Sequence, residues 1–202
     1  MIVVDIETSG LDIEKDQILS IGAVDLDNAS RTFYEECRLL DGAKVSEEAL
    51  RVTGFSLAML TDKRKPILVA VLRNFLDWTS GCTERTLAGE NPWFDIAFLR
   101  RMSKEYGLAW QFGHRYVDLH SLSYVAHLRS GKLPPPQEGR SSVSLDQTLQ
   151  FVGLRPRDGV HNALTDAKLE AEAISRLVYS KSLLKEFSQY RVPDYLGMLA
   201  IA

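Results

Sequence analysis

The chain has 202 residues, of which 45% are hydrophobic and 25% charged, a composition that predicts one globular domain over 1–202 and excludes a disordered chain. Its 24 basic and 27 acidic residues give a net charge of −3, so a polyanion would have to be held by local basic groups or bound metal. Two cysteines without a C-x-x-C spacing, no secretion signal and no run of about 18 apolar residues predict reduced thiols, no membrane span and a cytoplasmic protein.

The first predicted strand carries two acidic side chains. Residues 2–4 are an apolar β-branched run, and the period of two places Asp5 and Glu7 on one face of the strand. Burying a carboxylate costs several kcal/mol unless a cation or hydrogen bonds compensate, and the first basic residue is Lys15. A divalent metal is the simplest partner for the pair. The alternative is a strand that ends at Val4 and leaves both acids in a solvated turn.

Two more strands are predicted directly after the first. Residues 17–24 form an apolar run, and residues 31–39 roughly alternate apolar and polar positions. Asp27 and Asn28 fit the turn between them. Connections of a few residues cannot carry a parallel crossover, so the sheet should open with three antiparallel strands.

Caps and apolar periodicity predict the elements that follow. Ser46, Ser144 and Asn162 are candidate helix caps. The predicted segments are a helix starting at 46, helices over 66–78, 93–106, 118–128 and 144–151, a strand over 85–89, a helix after 162 and a short helix over 181–190.

Two segments have no regular pattern. The proline-rich stretch 130–142 predicts a surface connector, with a substrate or partner contact as the alternative. The final segment, 193–202, is apolar enough to need cover from this domain or from a partner.

Three more polar residues stand out against their surroundings. Asp95 occupies an early helical position among apolar neighbours, where a solvated acid is not expected. Asp166 falls in the first turn of its helix, where the macrodipole favours a carboxylate. His161 lies on the loop before that helix, a sensible place for a general base that must reach a water; the alternative is a solvated histidine.

Three blocks of the sequence, in the family's order, resemble the motifs of the DEDDh or DnaQ-like 3′→5′ exonucleases. The blocks are Asp5-Ile-Glu7-Thr8-Ser9-Gly10-Leu11, Asn91-Pro92-Trp93-Phe94-Asp95-Ile96-Ala97-Phe98-Leu99 and His161-Asn162-Ala163-Leu164-Thr165-Asp166-Ala167. The resemblance covers about residues 1–178, which leaves 179–202 as a helical and apolar extension. It implies an α/β ribonuclease H-like fold: a mixed central sheet, with strands 1–3 antiparallel and further strands parallel, flanked by helices.

The resemblance also implies a metal-dependent reaction. Asp5, Glu7, Asp95 and Asp166 would hold two Mg²⁺ or Mn²⁺ ions, and His161 would deprotonate the attacking water. Hard divalent cations prefer carboxylate oxygens, and a pair of them can stabilise the attacking and leaving oxygens in phosphodiester hydrolysis. The metals would also bring positive charge to the place where a phosphate must bind.

Four positions are similar to the family's contacts with substrate. Thr8, Gly10 and Leu11 resemble the segment that meets the terminal nucleotide, although a turn and a core leucine would explain them equally. Asn91 matches a frequent asparagine but could instead cap the helix. Asp118 is expected to cap its own helix rather than to bind metal.

The chain departs from the family pattern in the second block. Gly89 and Glu90 stand where many relatives have alanine and histidine, and Pro92 replaces a small residue. Glu90 near a scissile phosphate would be repulsive unless it points away. Ser20 stands where an acid is frequent in the family.

The expected function is a metal-dependent 3′→5′ exonuclease that releases nucleoside 5′-monophosphates from single-stranded 3′ ends, with DNA favoured slightly over RNA. The alternatives are an exoribonuclease of the same family, an inactive binding module, and a proofreading subunit that contacts a polymerase or a second copy through its apolar tail. Motif residues do not distinguish DNA from RNA, because that depends on contacts with the 2′-hydroxyl. Basic runs that could guide a strand, or be solvated charge, lie at 63–65, 100–101 and 155–157.

Overall fold

A five-stranded sheet is the framework of the computed structural model, which describes residues 1–197. The spatial order is β3-β2-β1-β4-β5. β1 and β2 pair antiparallel, as do β2 and β3, whereas β4 runs parallel to both β1 and β5. The predicted antiparallel opening and the predicted mixed sheet are therefore confirmed. The strands are β1 Ile2–Thr8, β2 Ile18–Asp25, β3 Thr32–Glu36, β4 Leu87–Gly89 and β5 Tyr116–Asp118.

The helices cover both faces of this sheet, and the three predicted caps are confirmed. Ser46, Ser144 and Asn162 each accept a hydrogen bond from the backbone N–H three residues later, which satisfies a donor that the first helical turn leaves free. The helices are α1 Glu47–Thr53, α2 Leu57–Leu60, α3 Leu68–Ser80, α4 Trp93–Glu105, α5 Leu119–Arg129, α6 Leu145–Phe151, α7 Ala163–Tyr179 and α8 Asp194–Gly197.

Alternate side chains of β1 face two different parts of the core. Ile2, Val4 and Ile6 pack in a cluster with residues of α3 and α4. Val3 belongs to a second cluster built mainly from α6 and α7. Because Cβ atoms alternate along a strand, Asp5 and Glu7 lie on the Val3 side and face α7. The strand does not end at Val4, so both acids belong to β1 as predicted.

A glycine in β2 lets α7 approach the sheet closely. Gly22 pairs with Asp5, and a Cβ atom on Gly22 would lie 2.1 Å from the backbone carbon of Ala163, the first residue of α7. Real Cβ atoms do not tolerate such contacts, so only glycine fits here. The start of α7 is thereby held directly against the strand pair β1 and β2.

Three predicted segments differ from the structure, and one strand was not predicted. The short helix predicted over 181–190 is only a single 3₁₀ turn, Lys185–Phe187. The connector over 130–142 contains a hairpin, β6 Pro136–Gln137 with β7 Arg140–Ser141. β5 was not predicted, because three residues are too few to show periodicity. The helix predicted from Pro66 begins at Leu68 and is capped by Ile67 without a side-chain hydrogen bond.

A buried ion pair fastens the segment after α7 to that helix. Arg176 Nε donates to Glu172 Oε1 at 2.6 Å, and both side chains are inaccessible to solvent. Arg176 also donates to the carbonyls of Val152 and Tyr190, at 3.0 Å each. Glu172 Oε2 accepts from the backbone of Leu183 and Leu184. Backbone hydrogen bonds to a buried pair thus hold 183–190, where no regular helix forms.

The described part of the tail packs on the domain itself. Leu196 is fully buried in the α6 and α7 cluster, and Ser180 Oγ donates to its carbonyl at 2.9 Å. The predicted need for cover is met by this domain as far as Gly197, and residues 198–202 lie outside the described residues. Cys37 and Cys82 are buried free thiols. No helix within 1–197 is long and apolar enough to cross a membrane.

Candidate active site

The second half of β1 extends beyond the end of β4. In the described part of the chain, Ile2 and Val3 are the β1 residues that pair with β4, and no strand lies beside the backbone of Ile6 on that side. The Ile6 N–H donates instead to Asp95 Oδ1 at 3.0 Å. Asp95 lies in the first turn of α4 and is buried, which explains why this acid stands among apolar neighbours. The hydrogen bond places Asp95 beside Asp5 and Glu7.

The third block brings Asp166 and His161 to the same place. Asp166 is buried in the first turn of α7, as predicted. His161 precedes the Asn162 cap, and its backbone N–H donates to the Val52 carbonyl at 2.8 Å. Its Nδ1 atom lies 3.6 Å from Asp166 Oδ2. The histidine is therefore anchored through its backbone to the end of α1, while its half-buried side chain faces the acid.

Arg157 links these two residues to α6. Its Nη1 atom lies 3.2 Å from Asp166 Oδ2 and 3.3 Å from His161 Nδ1. Its Nε atom donates to Asp146 Oδ1 at 3.0 Å. The guanidinium is thus positioned by Asp146 and lies among the site residues, which accounts for one member of the predicted basic run 155–157.

Burial and mutual repulsion raise the pKa values of the acids. Loss of hydration raises the pKa of Glu7 to about 8, with repulsion from Asp166 and Asp95 adding to the shift. Burial raises the pKa of Asp95 to about 7 and also raises that of Asp166, which Arg157 opposes. The pKa of Asp5 lies well above its usual range because of lost hydration and repulsion from Glu170 and the other three acids. Such clustered, perturbed acids are characteristic of functional sites.

Glu170 is a fifth carboxyl group that was not predicted. It lies on α7 one turn after Asp166, is 2% exposed, and its Oε2 atom has no hydrogen-bond partner among the described residues. The i,i+4 spacing from Asp166 was the available signal, since residues four apart share a helix face. A Cβ atom on Gly89 would lie 3.2 Å from Glu170 Oε2, so the glycine that replaces the family's alanine leaves room for this carboxyl group. The carboxylate centre below means Asp5, Glu7, Asp95, Asp166 and Glu170.

The donor set fits divalent cations. Ligand atoms of Glu7, His161 and Asp166 lie within 4.8 Å of one another. Glu7 Oε1 is buried and has no partner within the described chain. Several buried carboxylates without enough cationic partners are costly, and hard cations with oxygen ligands remove that cost. The acids present therefore match the chemistry of Mg²⁺ or Mn²⁺.

Three of the four predicted substrate contacts line a cavity beside Glu7, and Asn91 is not among its lining residues. Thr8, Gly10 and Leu11 contribute to a space of about 590 Å³ that also contacts Phe94 and Val52. Leu11 is 83% exposed, so it is not the core residue of the alternative interpretation. The Thr8 hydroxyl donates to the Gly10 carbonyl at 2.7 Å and shapes the turn.

In and near the second block, the cap alternative for Asn91 is wrong and the cap role of Asp118 is confirmed. Asn91 does not cap α4: it has a left-handed backbone with φ of 51°, and Pro92 is the cap residue. Glu90 is largely buried, and burial with repulsion from Asp118 raises its pKa to about 7. Asp118 caps α5 as predicted, accepting from the backbone of His120. Ser20, buried in β2, faces Glu7 across the strand pair, where an acid would add repulsion.

Sequence comparisons identify related proteins. The model of the RNase_T family, described as exonuclease, matches residues 2–174. The PolC-type DNA polymerase III of Thermotoga maritima is 30% identical over 179 residues, which cover 88% of this chain and 12% of the polymerase. DNA polymerase III subunit epsilon of Aquifex aeolicus is 26% identical over 197 residues, covering 98% of this chain and 87% of that subunit. The chain thus spans only a small part of its PolC-type relatives.

A structural comparison agrees with the sheet topology. The nuclease domain of 3′hExo, a DEDDh family member crystallised with rAMP, superposes with a TM-score of 0.67 and 19% identity, covering 96% of this chain and 95% of that domain. At this identity the likeness establishes the fold. The predicted ribonuclease H-like architecture is confirmed.

Proposed function

The chain belongs to the RNase_T exonuclease family, in its DEDDh or DnaQ-like branch, and from that membership and the geometry of its site we propose that it is a metal-dependent 3′→5′ exonuclease that releases nucleoside 5′-monophosphates. Single-stranded nucleic acid ends are the proposed substrate. Asp5, Glu7, Asp95 and Asp166 are the proposed metal ligands, and His161 is the proposed general base.

One observation carries this proposal: three separate segments of the chain deliver buried acids to one end of β1. The Asp95 carboxylate binds the β1 backbone, and His161 lies beside Asp166 at the start of α7. A binding module would not need a histidine next to a buried acid, so this arrangement favours an enzyme over an inactive domain of the same fold.

The chain's own residues would divide the chemistry between them. The four proposed ligands would hold two divalent cations, which when bound supply charge stabilisation to the attacking and leaving oxygens. His161 would accept a proton from water, whose oxygen attacks the phosphorus of the last phosphodiester. The bond from phosphorus to the 3′ oxygen then breaks, and that oxygen takes a proton from solvent to become the 3′-hydroxyl of the shortened strand. The terminal nucleotide is released as its 5′-monophosphate.

The terminal nucleotide would bind in the cavity beside Glu7. The exposed Leu11 side chain offers an apolar surface for a base, with Phe94 on the cavity wall. Thr8, Gly10 and Asn91 are the proposed polar and backbone contacts.

DNA is the polymer we favour, and the relatives motivate this choice. The curated relatives described above are DNA polymerase III proteins, whereas the 3′hExo domain was crystallised with rAMP. An exoribonuclease is the second candidate. A proofreading role in contact with a polymerase is a further candidate, because one relative is a separate polymerase subunit.

One assay tests the activity and separates these polymers. Matched single-stranded DNA, single-stranded RNA and duplexes, labelled at the 5′ end, are incubated with Mg²⁺, Mn²⁺ or EDTA. We expect successive loss of 3′ nucleotides with either metal and none with EDTA. Digestion from the 5′ end, or activity in EDTA, would contradict the mechanism.

Two variants test the proposed roles. Asp5→Ala and His161→Ala should each lower kcat by a factor of at least about 10² while circular dichroism stays unchanged. Asp41→Ala is the matched control, because Asp41 is an almost fully exposed acid whose single salt bridge within residues 1–197 is with Arg38. Full activity in either site variant would refute its assignment.

A further inference from the structure

A second, aromatic and basic surface lies on the other side of α4 from the proposed nucleotide cavity. It is a groove of about 280 Å³ between α4 and the edge strand β5. Trp93 and Tyr116 line it and are 50% and 45% exposed. The term aromatic groove below means this groove, lined by Trp93, Ile96, Arg100, His114, Arg115 and Tyr116.

The positive charge of the aromatic groove is available to a ligand. Arg100 and Arg115 are exposed, and neither forms a salt bridge with any residue in 1–197. Several other cations of the predicted basic runs are engaged, among them Arg101 with Glu105 and the Asp16 carbonyl, and Lys65 with Glu36. The whole chain has a net charge of −3, whereas the aromatic groove carries two arginines without salt bridges beside two exposed aromatic rings.

Shared lining residues link the aromatic groove to the cavity beside Glu7. A shallow depression between them is lined by Ala97 and Arg100, which also line the aromatic groove, and by Asp12, which also lines the nucleotide cavity. Trp93 packs edge-on against Phe94 on the cavity wall, with ring centroids 6.3 Å apart. From Trp93 to Arg100 the helix advances about 10 Å, so the groove leads away from the site along α4.

We propose that the aromatic groove binds the single-stranded nucleic acid upstream of the 3′ terminus, with bases stacking on Trp93 and Tyr116 and phosphates contacting Arg100 and Arg115. This inference rests on the proposed exonuclease function and adds a path for the rest of the strand. Aromatic faces accept any base, while unpaired arginines bind the backbone, so the groove suits single strands without regard to sequence. A duplex would not present unstacked bases to these rings.

The chemistry argues against a peptide as the occupant. β5 is an edge strand, but it has three residues and ends at Asp118, whose carboxylate is committed to capping α5. A short edge offers few backbone hydrogen bonds for strand addition. The groove also lacks an unpaired acid among its lining residues that would pair with a basic peptide.

The test compares long and short substrates. Hydrolysis of oligo(dT) and oligo(U) of about 15 nucleotides is compared with that of the matching dinucleotides, which cannot reach beyond the site. For Trp93→Ala, the ratio of kcat/KM on the 15-mer to kcat/KM on the dinucleotide should fall about fivefold to a hundredfold, the loss expected for one stacked base. Trp93→Phe, which keeps an aromatic face, should restore most of that ratio.

Salt dependence tests the arginines separately. In Arg100→Ala with Arg115→Ala, the slope of log affinity against log salt for the 15-mer should become shallower by about 1.4, since each lost phosphate contact on a single strand removes about 0.7. Arg73→Ala, at an exposed arginine of α3 that does not line the groove, should leave the slope and the ratio unchanged.

The outcomes are distinguishable. If the wild-type chain degrades neither polymer, the proposed function fails. If it degrades the 15-mer but the groove variants keep the wild-type ratio and slope, the groove inference fails and the function stands. An equal loss on both substrate lengths would mean that Trp93 acts only through Asp95. A concentration-dependent dimer that Tyr116→Ala abolishes, with the ratio unaffected, would make a second copy the occupant and overturn the proposal.

Discussion

Glu170 shows how a side chain outside every recognised motif can shape the site. It belongs to the carboxylate centre, repels Asp5, and has a pKa well above its usual range because it is buried near Asp95 and Glu90. No hydrogen bond from the described residues to Glu170 Oε2 compensates for the lost hydration. In the metal-free protein such a group destabilises the fold whenever it ionises.

Replacing Glu170 by glutamine should remove that ionisation while keeping the shape. We expect the thermal midpoint of metal-free Glu170→Gln to exceed that of the wild type by a few degrees at pH 8, and the two midpoints to converge at about pH 4, near the ordinary pKa of a glutamate in the unfolded chain. Differential scanning calorimetry measures this. Glu172→Gln is the matched control on the same helix: it leaves the buried Arg176 without its partner and should lower the midpoint at both pH values.

The raised pKa values also predict how metal-free stability depends on pH. The pKa of Glu7 rises from 4.5 to about 8 on folding, and that of Asp95 from 3.8 to about 7. Between those limits the folded chain holds protons that the unfolded chain has released. Stability should therefore fall as the pH rises from 5 to 8, with a slope of about 1.4 kcal/mol per pH unit for each such proton.

Divalent cations should reverse that trend, because they bind the ionised carboxylates. Chemical denaturation at several pH values, with Mg²⁺ or with EDTA, measures both effects. We expect Mg²⁺ to stabilise the protein more at pH 8 than at pH 5. Glu7→Gln with Asp95→Asn should flatten the EDTA curve, and a wild-type EDTA curve that rises towards pH 8 would contradict the assigned burial of these acids.

At the scale of elements, the contact between β2 and α7 fixes the geometry of the site. Gly22→Ala would place a methyl group inside the backbone of Ala163, so α7 must move. We expect a loss of about 1–3 kcal/mol in unfolding free energy, typical of overpacking, with a larger proportional loss of activity because Asp166 moves with the helix. Urea denaturation and the exonuclease assay measure the two effects.

A control exists for that glycine. Gly197→Ala introduces a methyl group that, apart from its own chain neighbours and helix backbone, has no atom of the described residues within 4 Å, so stability and activity should stay at wild-type values. Wild-type activity in Gly22→Ala would show that α7 can be displaced without harm to the site.

Local signals explain which elements could be predicted from the sequence. Each helix cap acts within three residues, as at Ser46, Ser144 and Asn162, and the apolar run of β1 is contiguous. Both features could therefore be predicted from neighbouring residues. The short strand β5 exists because it pairs with β4, a partner more than twenty residues away. The helix predicted over 181–190 is absent for a similar reason: contacts with Glu172 and Arg176, not hydrogen bonds within a helix, hold the backbone there.

The residues of the site were also predictable only in part. Asp5, Glu7, Asp95, His161 and Asp166 could be nominated because chemically specific residue types recur at motif spacing. Packing between distant segments brings Glu170, Arg157 and the Asp95 carboxylate close to β1. No local sequence pattern encodes such packing. The roles assigned to the five nominated residues remain predictions that the variants above test.

At the scale of the whole molecule, the tail completes the core. A chain that ends at Val192 loses Leu196 and Tyr195, of which Leu196 is fully buried. We expect it to lose about 2–5 kcal/mol in unfolding free energy, as for removal of a buried large side chain. A chain that ends at Gly197 keeps this packing and is the matched control. If both truncations unfold at the wild-type denaturant concentration, α8 does not contribute to the core.

The hydrogen bond from Ile6 to Asp95 makes the Ile6 amide an intrinsic reporter of the site. Most amide protons of β1 are bonded to neutral carbonyls, whereas the Ile6 proton is bonded to a carboxyl group. Its NMR resonance should therefore move as Asp95 changes charge or acquires a ligand, while those of Val3 and Val4 stay in place. A Mg²⁺ titration that follows the chemical shift of the Ile6 amide proton would therefore measure metal binding at Asp95 through the backbone of β1.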